Sequence, residues 1–185
     1  MKFLGIGLII VVVLLVLWAI GAYNGFVKLR NMVEEAFSTM DVYMKKRYDL
    51  IPNLVETVKG YAKHEASTLE NVVQARNMAQ NAATPEERIK NDNMLTGTLK
   101  SLFAIAEAYP DLKANTNFID LQNQLRIVED DIANSRKYYN AVVRDYNTKT
   151  EVFPSSIIAG MFKFARKPMY EVDAPEERQN VKVEF

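Results

Sequence analysis

No cysteine occurs in this chain of 185 residues, so disulfides, thiolate nucleophiles and Cys-ligated zinc are excluded together. Histidine is nearly as scarce: His64 is alone. A zinc-protease helix needs a second His four positions on, where Thr68 stands, and a di-iron bundle needs Glu three positions before, where Tyr61 stands. The acidic pairs Glu34-Glu35, Asp130-Asp131 and Glu176-Glu177 place neighbours about 100° apart on a helix, which suits solvated faces better than a metal. Glycine is sparse too: Gly60 and Gly97 stand singly inside helical stripes, so neither a phosphate-binding loop nor a nucleophile elbow is present. No catalytic, cofactor-binding or metal residue emerges, and the chain reads as a non-enzyme. Charge of either sign is not in excess, 23 Lys and Arg against 23 Asp and Glu, so nothing recruits nucleic acid.

What the sequence does have begins at its N-terminus. From Phe3 to Tyr23 it reads FLGIGLIIVVVLLVLWAIGAY without a charge, about 31 Å of helix and enough for a bilayer core. The run exceeds the roughly 7 to 15 apolar residues of a cleavable signal, although Ala19-Ile20-Gly21 is a passable cleavage site, so an anchor is favoured. Trp18 and Tyr23 stand near its end, where amphipathic rings prefer the membrane interface. Lys2 precedes the span while Lys28 and Arg30 follow it, and charges this balanced do not choose a side.

Beyond the span, apolar residues recur at spacings of three and four, the mark of amphipathic helices. One stripe is Phe26, Leu29, Val33, Ala36, Met40 and Tyr43; a second is Val55, Val58, Ala62, Glu65, Leu69 and Val72. Their phases differ by one residue around Pro52, which predicts a corner there, with Asp49 capping the second helix and Pro52 in its first turn. Thr84-Pro85-Glu86-Glu87 is a capping box opening a third helix, whose stripe Leu95, Leu99, Leu102, Ala106 and Tyr109 ends at Pro110. The connector DLKAN leads to a fourth, from Phe118 through Leu125, Ile132 and Tyr139 to Tyr146. Ser155 and Ser156 are placed to cap a short apolar helix, IIAGMFKF, which either folds back onto the bundle, the favoured reading, or offers an exposed patch. The expected fold is all-α: a transmembrane anchor (1–24), an up-and-down antiparallel bundle of about four long helices (25–153), and a short C-terminal helix with an extended tail (154–185).

Charges inside the stripes are informative, because burying an unpaired one costs several kcal/mol. Arg47, Glu65 and Arg76 occupy such positions and predict either an interhelical ion pair that fixes register or a polar groove for a partner. Arg47 opens the polar stretch RYDLIPNLVETVKGYAKHE. Within it Arg47, Tyr48, Asn53, Lys59 and Tyr61 are left unexplained by a corner at Pro52, which makes them candidates for an interhelical network or docking surface.

The segments VEEAFSTMDVYMKKRYDLIPNLVETVKGYAKHEASTLENVVQAR and LKSLFAIAEAYPDLKANTNFIDLQNQLRIVEDDIANSRKYYNAVVRDYNTKTEVFP resemble the LemA family of bacterial membrane proteins, with Phe37 and Met40 as conservative departures. The resemblance implies an N-terminally anchored helical bundle without established activity or cofactor. One relative takes part in magnetosome membrane formation, which points to membrane organisation; described relatives differ in the side on which they hold the domain. The reading is a single-pass scaffold or adaptor of the bacterial cytoplasmic membrane, held in the bilayer through residues 3–23. It is expected to form a homo-oligomer and to meet another envelope protein. The alternative is an accessory subunit of a membrane protease or envelope stress system.

Overall fold

Apolar residues at helical spacing with few breakers dictate helices, and helices are the only regular elements among the described residues, 2–170, of the computed structural model. They are α1 (Lys2–Tyr61), α2 (Ala66–Gln80), α3 (Pro85–Ala106), α4 (Pro110–Lys113), α5 (Thr116–Glu151) and α6 (Ser155–Met161). The long helices and the apolar N-terminal helix agree with the all-α expectation. The extended tail expected at the C-terminus lies, from residue 171 on, outside the described residues.

The expected corner at Pro52 is corrected. Helix α1 runs unbroken for 60 residues with Pro52 inside it, and also passes Gly21 and Gly25 without interruption. The reason is a stripe that continues where the sequence reading placed a slip: Met40, Met44, Arg47, Ile51, Leu54, Val58 and Ala62 are all buried, at spacings of three and four. Pro52 itself lies on the exposed side. Asp49 does not cap; it pairs with Lys45 one turn earlier at 3.0 Å. The chain turns at residues 62–65, after which α2 buries Leu69, Val72, Ala75 and Ala79.

The other boundaries follow local chemistry. Thr84 caps α3, its hydroxyl accepting from the Glu87 N–H at 3.1 Å, while the Glu87 carboxylate reaches back to the Ala83 N–H, one residue before the cap. Part of the expected connector DLKAN is helical: Pro110–Lys113 closes one turn. Asn115 then opens α5, its side chain accepting from the Phe118 N–H at 2.9 Å. Ser155 does not cap α6; its hydroxyl donates to the Lys149 carbonyl at 2.8 Å, satisfying the end of α5 instead.

The residues cluster into two compact units, and α1 and α5 each contribute to both. The first combines the chain up to Ser38 with Lys137–Met169. In it α1 and α5 run antiparallel, Phe26 meeting Tyr146 and Phe37 meeting Tyr139, and α6 buries Ile158 and Ala159. Asn147 holds the segment after α6 by two bonds, accepting from the Lys167 N–H at 2.8 Å and donating to its carbonyl at 2.9 Å. The second unit contains Thr39–Arg136 and Tyr170. Here α2 lies antiparallel to α3, with Asn91 donating to the Met78 carbonyl at one end and Tyr109 to Glu65 at the other. Leu95, Leu99, Leu102, Leu125 and Ile132 are buried in this unit.

Candidate functional site

Asp92 occupies the α3 position three residues before Leu95, on the buried seam, and is fully enclosed. A carboxylate there must collect donors, and Asp92 collects four. On Oδ1 it accepts from Arg47 Nη2 and, at 3.3 Å, from the Tyr48 hydroxyl; on Oδ2 it accepts from Arg136 Nη2 at 2.9 Å and the Tyr170 hydroxyl at 2.6 Å. Arg47 is equally enclosed, and its Nη1 donates to Thr96 Oγ1 at 3.1 Å and Glu129 Oε1 at 2.7 Å. Arg136 lies over the Tyr170 ring, 4.1 Å from its centroid. Two guanidiniums thus face two carboxylates, drawn from α1, α3 and α5.

The protonation states follow. Burial alone would lower the Arg47 pKa, but the charges of Asp92 and Glu129 outweigh it, so the guanidinium is held charged with its pKa above the usual value. Burial pushes the phenols of Tyr48 and Tyr170 well up, and the negative charge of Asp92 pushes them further, so both stay neutral donors. None of these three groups exchanges a proton near neutrality. The arrangement ties α1, α3 and α5 together.

Among the sequence candidates, Arg47 and Tyr48 therefore meet in one network, and the other three do not join it. Asn53 is exposed. Lys59 is exposed and lies 3.7 Å from Glu56. Tyr61, the last residue of α1, accepts from Asn115 Nδ2 at 2.9 Å. Of the other seam charges, Glu65 accepts from the Tyr109 hydroxyl at 3.3 Å, and Arg76 Nε donates to the Tyr48 carbonyl at 2.8 Å. That carbonyl is the one Pro52, lacking an N–H, leaves without its helical partner. Sequence reasoning missed Asp92, Glu129, Arg136 and Tyr170. Asp92 carried a usable signal, a charge in register with the α3 stripe; Tyr170 lies in a segment without periodicity.

Each unit also carries an exposed apolar feature. A groove of about 1180 Å³ lies between the last turns of α1 and α2, lined by Val55, Leu69, Val73 and Met78 with Lys59 and Lys63 among its charged groups. In the first unit, Phe3, Ile6 and the large apolar residues from Leu8 to Leu17 are uncovered, and α1 is the one helix among the described residues long and apolar enough to cross a membrane. Trp18 and Tyr23 are 39% and 37% exposed near the end of that run. His64 is exposed in the turn after α1, and among the described residues no three His, Asp or Glu side chains are placed to hold a metal.

The model of the LemA family matches residues 36–185. The chain is 25% identical over 144 residues to "Protein LemA" of Metamycoplasma hominis, covering 76% of this chain and 64% of that protein. It is 23% identical over 175 residues to the magnetosome proteins MamQ 2 and MamQ 1 of Paramagnetospirillum magneticum, covering 80% of this chain and 64% of each. The chain thus spans just under two thirds of the length of these relatives.

Proposed function

The chain belongs to the LemA family, and from that membership we propose that it is a non-enzymatic scaffold of the bacterial cytoplasmic membrane, anchored by residues 3–23, which self-associates and docks envelope proteins in the organisation of membranes. Two of the relatives are named for the magnetosome, a membrane compartment, which supports the last part of the reading.

One contrast carries it. The buried ionisable groups of the second unit are spent on each other, four donors around Asp92, whereas the groove between α1 and α2 has an apolar floor open to solvent, with Val73 and Met78 38% and 41% exposed. A concave apolar strip between two helices takes a third helix readily. Lys59 of α1, Lys63 of the turn after it, Glu56 and Glu70 line it alongside, so its rim carries both signs, as suits a surface that meets another copy of itself.

Light scattering of the detergent-solubilised full chain tests the reading. The expected protein mass is a multiple of the 21.1 kDa chain, falling to one chain when Val73→Asp and Met78→Asp are combined. A single-chain mass for the unaltered protein overturns self-association.

A further inference from the structure

Helix α6 covers only one of its sides. Ile158 and Ala159 are buried, whereas Phe153, Ile157, Met161 and Phe162 are 81%, 50%, 69% and 52% exposed. The patch is rigidly presented. Lys163 ends the helix with φ 56°, which lets the Phe164 N–H reach the Ala159 carbonyl at 2.9 Å and the Lys163 N–H reach the Gly160 carbonyl at 3.4 Å, the paired bonds of a left-handed cap. Phe164 then stacks on Phe26 with centroids 4.8 Å apart.

Its location decides what covers it. Tyr23, the last residue of the apolar stretch Phe3–Tyr23, lies 4.7 Å from Phe162 and 5.7 Å from Phe164, ring centre to ring centre. The patch is therefore continuous with the uncovered apolar surface of the span, at the level where that surface ends. The chain on either side of these contacts is mostly basic: residues 24–33 and 149–168 contain Lys28, Arg30, Lys149, Lys163, Arg166 and Lys167 and a single carboxylate, Glu151, which pairs with Arg166, while Lys149 lies over the Phe26 ring.

We propose that α6 and the turn after it form a second membrane contact, seated in the headgroup region of the bilayer that α1 crosses, with the surrounding cations against anionic phospholipid. The proposal rests on the reading of residues 3–23 as a span. Large apolar side chains fixed beside aromatic rings and ringed by Lys and Arg are what an interfacial segment needs. A protein partner would need the apolar face and not the cations.

The absence of cysteine makes the test direct. The full chain carrying one spin label is placed in vesicles of equal phosphatidylcholine and phosphatidylglycerol, with the label at Leu14→Cys, Met161→Cys or, as an exposed control, Ile127→Cys. Collision with oxygen relative to a water-soluble nickel chelate is read at each position. At 161 the ratio is expected several-fold above that at 127 and below that at 14, and adding Ile157→Lys is expected to bring 161 towards 127 while 14 stays unchanged. A label at 14 in lipid with 161 equal to 127 overturns the proposal and leaves the span standing; water access at both 14 and 161 overturns the span as well. Spin–spin broadening between labels at 161 shows a second copy on the patch and overturns the lipid assignment, as does a 161 ratio unmoved by Ile157→Lys.

Discussion

Arg47 is an enclosed cation whose partners lie on two other helices, so the consequence of removing it depends on what is left behind. Arg47→Ala leaves Asp92 with Arg136 and two phenols, while Glu129, 37% exposed in its side chain, can turn to water. The expected loss is therefore about 3 kcal/mol, the lower end for a broken buried pair. Lys59→Ala, in contrast, removes a pair exposed on both sides and should not measurably change stability. Urea unfolding of the two variants separates them, and equal midpoints contradict the network. Tyr170 adds a pH signature. Its folded pKa is raised above the ordinary 10.0, so its contribution is complete below about pH 10 and is lost as pH rises through the folded value. Above pH 10 each such tyrosine should cost about 1.4 kcal/mol per pH unit. Tyr170→Phe should be less stable at neutrality, having lost a donor to Asp92, yet fall less steeply between pH 9 and 11. Parallel alkaline curves for the two proteins would show that Tyr170 is not buried as described.

At the scale of elements, the continuity of α1 through Pro52 has an energetic cost and a compensation. Proline in a helix interior removes one hydrogen bond at a cost of about 3 kcal/mol, and Arg76 from α2 occupies the freed Tyr48 carbonyl. The two residues should be coupled. Arg76→Leu is expected to destabilise by about 1 to 3 kcal/mol with Pro52 present, and by markedly less in a Pro52→Ala background, where the restored N–H takes the carbonyl. A double-mutant cycle with no coupling rejects the compensation. The same detail explains what was legible in the sequence. The stripes of α3 and α5 and the Thr84 cap were readable because each rests on contacts within a few residues. Pro52 was misread because proline's local preference points to a corner, and the groups that override it, Met44, Ile51, Leu54 and Arg76, act through packing and a bond across 28 residues. Arg47 was legible as a charge in a seam; its partners were not, since Glu129 and Arg136 flank the α5 stripe and Tyr170 belongs to no stripe.

Taken as a whole molecule, the chain has net charge zero and yet gathers cations where its apolar run ends, so attachment to membranes should have two parts of unequal strength. A run of about 21 uncharged residues is a length that inserts essentially irreversibly. A few apolar residues with neighbouring lysines and arginines give only a reversible, salt-sensitive association. Which side of α6 would be covered was not readable beforehand, because seven residues make under two turns and leave too little periodicity to assign a face. Fractionation separates the two parts. The full chain is expected to stay in the membrane pellet through alkaline carbonate and high salt and to leave only with detergent. A chain lacking residues 3–20 should bind anionic vesicles at low ionic strength and wash off at high salt, and Met161→Asp within that shortened chain should abolish even the weak binding. Release of the full chain by carbonate would refute the anchor, since a helix that spans the bilayer leaves it only with detergent.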